Sequence, residues 1–236
     1  MTMNANEAGK TAGLIEPLFP DVTRDDVFRL ETHRLWLRWP RHADATALRG
    51  FAGRREVAEM TGTWPHPLPE GELERRIFEA RKENATGASL VLAITPRARP
   101  NQQIGLIGVG RGKQGVSEAD VEIGYMLHPD FWGQGLVVEA VQSVLDTLFG
   151  YTATQTVGAS ARVVNPASRR VLEKCGFRHT GSTLRDQPVR GGMIPCDSFV
   201  IDRKTWAALV NWSHNTPIRI VPDRRRADPD ALVNCA

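Results

Sequence analysis

Cysteine is scarce in this chain. The three cysteines, Cys175, Cys196 and Cys235, are odd in number and far apart, and no Cys-x-x-Cys pair occurs. Neither a disulfide framework nor a cysteine-based zinc site is suggested. The six histidines include no His-x-x-x-His pair, so no metal is expected. Apolar runs of membrane-spanning length are missing, as is the apolar core of a signal peptide near Met1. A soluble cytoplasmic protein, with no membrane partner, is the expectation from these absences. Excess charge is small as well. A net charge of +3 and a pI near 9.0 are too little to expect a nucleic-acid partner. No internal repeat and no clear linker is visible. What remains is an ordinary composition, 41% hydrophobic and 24% charged, enough for one packed core.

The stretch from Glu118 to Phe149 organises the rest. Val121, Ile123, Tyr125 and Leu127 alternate with Asp120, Glu122, Gly124 and Met126, the period of a strand over Asp120 to Leu127. Pro129 cannot continue a sheet ladder. After Phe131-Trp132-Gly133-Gln134-Gly135, the residues Val137, Val141, Val144, Leu145 and Leu148 recur at helical spacing. A strand, a glycine loop and a helix in that order have a chemical use. The first N–H groups of a helix lack partners inside it, and glycines before them let a phosphate approach closely. Alone, Gly133-x-Gly135 fits a tight turn without a ligand about as well. No Gly-Lys-Ser/Thr follows it, and the third glycine of a dinucleotide loop is missing.

Around this centre the chain reads as one α/β domain, 27–212, between an N-terminal arm, 1–26, and a polar C-terminal tail, 213–236. The arm is polar, although Leu14, Ile15, Leu18 and Phe19 could dock on the domain. Phe28 to Trp39 reads as one strand. A short helix starts at Asp44 and fails near Gly53. Thr61 to Leu68 is a proline-containing loop. Pro69 suits the first position of a helix that runs to about Asn84, with Leu73, Ile77 and Phe78 inward. Strands follow at Ser89 to Thr95 and Gln103 to Gly110, with a turn from Gly112 to Val116. After the central helix comes a strand at Thr156 to Val163. Asn165 is a good N-cap with Pro166 at the first helical place. Ala167, Val171, Leu172 and Cys175 form that helix's apolar face, and Gly176 ends it. A strand begins at Phe177, Arg185 to Gly192 is a loop tip, and Asp197 to Ile201 returns. One or two more helical turns are suggested over Trp206 to Trp212. The tail from Asn215 carries Arg224, Arg225 and Arg226, best read as a solvated basic run.

Two segments together carry a resemblance. One is Glu122-Ile123-Gly124-Tyr125, then Phe131-Trp132-Gly133-Gln134-Gly135, then Glu139-Ala140; the other is Asn165-Pro166-Ala167-Ser168 through Gly176-Phe177. In order and separation they resemble the GNAT superfamily of N-acetyltransferases, in the branch that includes the ribosomal-protein alanine acetyltransferases. Glu31 to Arg38 and Trp64-Pro65-His66-Pro67 fit that branch too. The resemblance implies a mixed, mostly antiparallel sheet, flanked by helices and splayed between its fourth and fifth strands, with acetyl-CoA as acyl donor. Pantetheine would pair with the backbone around Tyr125, Met126 and Leu127. The pyrophosphate would meet the N–H groups of Gly133, Gln134, Gly135, Leu136, Val137 and Val138. Asn165 and Ser168 match an Asn-x-x-Ser near the thiol. Trp64 and His66 would line the acceptor pocket, with loop packing an equal alternative. The acceptor would be an amine, on a protein N-terminus or a small molecule, and the enzyme a monomer or homodimer. Two departures stand out. Val137 stands where a small residue is commoner, and Leu172 stands where many relatives carry an acidic tyrosine.

Acetyl transfer to an amine needs a neutral amine, donors for the oxyanion and a way to let the thiolate leave. The oxyanion would meet a backbone N–H near Leu127, on the resemblance. At pH 7 an α-amine of pKa about 7.8 costs about 1 kcal/mol to deprotonate, and a lysine amine roughly 4.6 kcal/mol. Glu122 is the candidate base, working through a water, with a solvated or salt-bridged carboxylate as the equal alternative; Asp120 is its substitute. Ser168 either bonds the thiol or protonates it, positioning being the safer role for so weak an acid, or equally is plain first-turn chemistry of its helix. Cys175 reads as a buried structural cysteine, so direct attack in a ternary complex is expected. A non-catalytic acyl-CoA-binding or regulatory protein of the same fold is the rival.

Overall fold

The residues from Phe28 to Trp39 form two strands rather than one. The computed structural model describes residues 17–112, 119–212 and 219–220, and in it β1 (Arg29–Glu31) turns back on β2 (Leu35–Arg38) as an antiparallel pair. The reason is local. The Thr32 N–H donates to the Leu35 carbonyl at 2.9 Å, and the Leu35 N–H donates to Thr32 Oγ1 at 2.9 Å, closing a tight turn that simple alternation does not reveal. Then come α1 (Asp44–Ala52), the one-turn α2 (Arg55–Ala58) and α3 (Glu72–Thr86), followed by β3 (Ser89–Pro96), β4 (Gly105–Gly110) and β5 (Val121–Leu127). The second half adds α4 (Leu136–Tyr151), β6 (Thr156–Arg162), α5 (Pro166–Lys174), β7 (Arg178–Gln187), β8 (Gly192–Asp202), α6 (Arg203–Trp212) and the two-residue β9 (Arg219–Ile220). The order across the sheet is β7-β8-β6-β5-β4-β3-β2-β1-β9. Every neighbouring pair is antiparallel except β5 with β6.

Other expectations shift for physical reasons. The helix expected at Pro69 starts at Glu72, because Gly71 before it sits at φ 72°. Phe78, expected inward, is 69% exposed. Leu73, Ile77 and Asn84 fill the buried stripe, and Phe78 lies one residue, about 100°, round from Ile77. Ala167 is exposed, so the buried side of α5 is Leu172 with Cys175 just beyond it. The expected loop tip at Arg185 is mostly strand: β7 and β8 stay paired out to Gln187↔Gly192, around a single 3-10 turn at Pro188–Arg190. The last helix begins at Arg203, earlier than Trp206.

Two apolar clusters lie on opposite faces of the sheet. One joins Val121 and Ile123 of β5 to Leu136, Ala140, Val144 and Leu148 of α4 and Leu172 of α5. The other joins Met126 of β5 to Leu48 and Phe51 of α1, Trp64, and Leu73 and Ile77 of α3. The alternation along β5 therefore sorts its side chains as expected, with Glu122, Gly124 and Met126 toward the α1 and α3 side. Of the arm, Phe19 is fully buried and the N–H groups of Leu18 and Phe19 both reach the Gly87 carbonyl. Leu14, Ile15, Arg224 to Arg226 and Cys235 lie outside the described residues, as does most of the turn expected after Gly112. Among the described residues no helix is long and apolar enough to cross a membrane.

Candidate active site

The sheet opens at the junction of β5 and β6. Their parallel pairing holds for Val121↔Val157, Glu122↔Gly158 and Ile123↔Ala159 and then stops. β5 continues to Leu127 while β6 continues to Arg162 along β8. The edge of β5 from Gly124 to Leu127 is thus left without a strand on that side, and a strand edge of this kind can pair with an extended ligand. These are the fourth and fifth strands of the expected count, moved up by one because the first became a hairpin. Asp120 fixes where the pairing begins. Its Oδ2 accepts from the N–H groups of Gln155 and Thr156 at 2.7 and 2.9 Å, which occupies it in structure rather than at the opening.

The glycine loop follows at the end of that edge. Gly133 and Gly135 have φ of 75° and 73°, a region L side chains rarely enter. A Cβ at Gly133 would meet nothing within 4 Å, and one at Gly135 only Arg34 Nη2 at 3.7 Å. Backbone conformation rather than crowding therefore calls for glycine. Gly135 is the N-cap of α4 and supplies no side-chain cap. The first N–H groups of α4 are thereby left for something other than the protein's own cap. Trp132 Nε1 donates to the Leu127 carbonyl at 2.8 Å, tying the loop to the strand end. Behind the loop, Glu139 accepts from Thr32 Oγ1 at 2.5 Å, from the Arg34 N–H at 2.7 Å and from Arg34 Nε at 2.7 Å. Arg34 Nη1 donates to the Gln134 carbonyl at 2.8 Å. Burial would raise the Glu139 pKa, but these hydrogen bonds win and hold the carboxyl below its usual range. Val137, which stands where a small residue is commoner in the family, lines the cavity while its side chain also packs on the core.

Across the opening stands α5. Here the cap is present: Asn165 Oδ1 accepts from the Ser168 N–H at 3.1 Å. Ser168 Oγ lies 2.9 Å from the Tyr125 hydroxyl, which also sits 3.2 Å from the Ser168 carbonyl. Leu172 is fully buried. Cys175 is buried too, 3.8 Å from the Val138 carbonyl, and burial pushes its thiol up to about 12. A thiol so protonated is no nucleophile at neutral pH.

One cavity of about 1110 Å³ joins these parts to the α1 and α3 side of the sheet. Tyr125, Met126, Leu127, Gly133, Gly135, Leu136, Val137, Val138, Asn165 and Ser168 line it, as do Glu122 and Trp64. Glu122 is ion-paired: Arg185 Nη1 lies 3.0 Å from its Oε1. Trp64 is buried beneath the Arg76 guanidinium, 4.4 Å from the ring centre. The loop that carries Trp64 is strapped by two further arginines. Arg162 Nη1 donates to the Glu59 carbonyl, and Arg190 Nη2 donates to those of Ala58 and Trp64. Burial, then the neighbouring charge of Arg162, lowers the Arg190 pKa.

Two expected residues stand apart from the rest. Gln134 is absent from the cavity wall, its amide donating to the Asp130 carbonyl at 3.2 Å. His66 is not on the wall either; its Nδ1 lies 2.9 Å from the Gly53 carbonyl. Sequence reasoning missed Arg34, Arg162, Arg185 and Arg190. Their partners lie 63 to 132 residues away along the chain, and no local pattern marks such pairs. The Tyr125–Ser168 contact was missed for the same reason, since the two are 43 residues apart.

Comparison with known proteins bears on the family and the fold. Residues 34–178 match the family model for an acetyltransferase (GNAT) domain. YoaA of Bacillus subtilis, described as an uncharacterized N-acetyltransferase, is 30% identical over 172 residues, 72% of this chain and 93% of the relative. Among solved structures, a ribosomal-protein-S5-alanine acetyltransferase from Vibrio fischeri superposes with a TM-score of 0.62 at 19% identity, covering 75% of this chain and 98% of its own. The microcin C7 self-immunity acetyltransferase MccE, solved with acetyl-CoA and AMP, gives 0.60 at 16% identity, over 72% and 93%. At those identities the two structures share the fold.

Proposed function

Since the chain belongs to the GNAT acetyltransferase family, we propose that it transfers the acetyl group of acetyl-CoA to a primary amine by direct attack in a ternary complex. The observation that carries this reading is the single cavity that runs from the free edge of β5 to Glu122. In this reading the backbone of Tyr125, Met126 and Leu127 pairs with the pantetheine arm. The N–H groups from Gly133 to Val138 hold the pyrophosphate, and Ser168 faces the thiol. The acyl donor supplies a thioester that an amine attacks. Among the described residues the two free cysteines are both buried, which supports attack without an acyl-enzyme.

Glu122 is the proposed base. Its pairing with Arg185 leaves it at the acceptor end as a carboxylate already engaged. Only a neutral amine attacks the thioester, so an acceptor that arrives nearly neutral asks least of a base. An α-amine, about 1 kcal/mol from neutrality at pH 7, fits better than a lysine amine at roughly 4.6 kcal/mol. A peptide N-terminus or a small α-amine is therefore the favoured acceptor. The engaged Glu122 and the buried Leu172 also favour, more weakly, a protein that binds acyl-CoA without turning it over. Screening amines and peptide N-termini for thiol release from acetyl-CoA decides between them. Amine-dependent release is expected. Tight CoA binding with no release for any amine would leave the binding protein as the better account.

A further inference from the structure

Leu172 of α5 is buried, and its side chain has no hydrogen-bonding or ionisable group. Only two tyrosines exist in the chain. Tyr151 ends α4 and is 54% exposed. Tyr125 lies on the unpaired stretch of β5, on the cavity wall, with its hydroxyl 2.9 Å from Ser168 Oγ. The two residues reach each other from opposite sides of the opening: one from the strand edge, the other from the first turn of α5.

Proton positions make this contact more than packing. The phenol has one hydrogen and two acceptors within reach, the Ser168 carbonyl at 3.2 Å and Ser168 Oγ at 2.9 Å. If it donates to the carbonyl, the serine hydrogen turns back toward the phenol oxygen. If it donates to Oγ, the serine hydrogen is left for a third atom in the cavity. The serine main chain does not move to adapt, since Asn165 Oδ1 holds its N–H at 3.1 Å. Burial raises the Tyr125 pKa, so the phenol keeps its hydrogen throughout the pH range in which amines become neutral. We propose that Tyr125 is a positioning residue whose hydroxyl, donating to Ser168 Oγ, aims the serine hydrogen at the sulfur of the acyl donor. Only a hydrogen bond to that sulfur is involved, and the O–H bond of serine stays intact. A departing thiolate of ordinary pKa about 8.5 requires no stronger acid.

The inference rests on the proposed placement of acyl-CoA in both arms of the test, and on acetyl transfer in the kinetic arm only. The binding arm compares the affinities of CoA and of desulfo-CoA, at pH 9, for wild type, Tyr125→Phe, Ser168→Ala and the double variant. Wild type should prefer CoA over the sulfur-free analogue several-fold. Each single variant should lose most of that preference, and the double variant should lose no more than Ser168→Ala alone. In turnover, each single change should lower kcat about tenfold, and the pair together about tenfold rather than a hundredfold, with the amine KM unchanged. Folding is checked by melting temperature. A Tyr125→Phe protein that keeps both the sulfur preference and kcat would overturn the proposal, as would losses that multiply. If wild type shows the coupled sulfur preference but acetylates no amine, the acetyl-transfer reading fails and the Tyr125–Ser168 pair stands.

Discussion

Where the acyl donor is expected, main-chain features stand out: the free edge of β5, two left-handed glycines and the uncapped start of α4. On the side of Glu122, side-chain contacts stand out. Glu122 is held by Arg185, Trp64 lies under Arg76, and Arg162 and Arg190 strap the loop between them. Main-chain groups are the same whatever the residue, so the first region is suited to a constant molecule. Side chains differ from one protein to the next, so the second region is suited to a variable one. Substitutions in the two regions should therefore fail in different ways: acceptor-side changes in rate and amine KM, glycine-loop changes in CoA affinity.

The largest effect is expected at Glu122. Glu122→Gln keeps the size and most of the hydrogen bonding to Arg185 but cannot take a proton. Its rate at neutral pH should fall about 10²–10⁴-fold, the usual worth of a positioned base, while CoA affinity stays the same. Raising the pH should restore the rate almost fully by about pH 9 for an α-amine and only partly for a lysine-like acceptor. A pH–rate profile matching wild type throughout would make Glu122 a structural partner of Arg185 and nothing more. Next comes the donor end. Gly135→Asp forces a side chain onto a φ of 73° and puts a carboxylate beside the expected phosphates. Calorimetry should show CoA binding weakened tenfold or more, about 1.4 kcal/mol. Unaltered affinity in a folded variant would remove the pyrophosphate from this loop.

Smaller effects should sharpen the contrast. Arg190→Ala leaves the Trp64 carbonyl without its donor, while the Ala58 carbonyl keeps the Thr61 N–H and Oγ1, and a buried acceptor left alone costs about 1–3 kcal/mol. The amine KM should rise several-fold and the melting temperature should drop, with CoA affinity intact. A loss confined to CoA affinity would contradict the division of the cavity. Smallest is the anchor behind the glycine loop. Glu139 is held below its ordinary carboxyl value of 4.5. Its folded pKa is thus lower than its unfolded one, so the stabilisation is present above about pH 4.5 and is lost as pH falls through the folded value. Melting temperature measured from pH 7 to pH 3 should fall more steeply for wild type than for Glu139→Gln. Parallel curves would mean that Glu139 does not contribute in this way.

The same division decides what could be read from the chain alone. The β5 alternation, the glycine pair and the Asn165-x-x-Ser168 cap are local patterns, and each lands where its spacing places it. They cover the donor end almost entirely. The strand count failed at Thr32, because a two-strand hairpin and one long alternating strand share a period. Phe78 failed because it lies about 100° round from Ile77, off the buried stripe of Leu73, Ile77 and Asn84. The acceptor end was hardly legible. Glu122 could be singled out, but its partner Arg185 comes from a stretch that composition marks as a loop tip and that pairs as strand. His66 carried the right residue type in the right loop, yet it stands outside the cavity wall.

The central claim is transfer of acetyl to an amine directly, with donor and acceptor bound together at the two ends of one cavity. Initial rates measured over a grid of acetyl-CoA and amine concentrations test it most directly. The account predicts double-reciprocal lines that intersect, since both substrates must be present before the acetyl group moves. Parallel lines, together with an acetyl adduct trapped on the protein after mixing with acetyl-CoA alone, would contradict it.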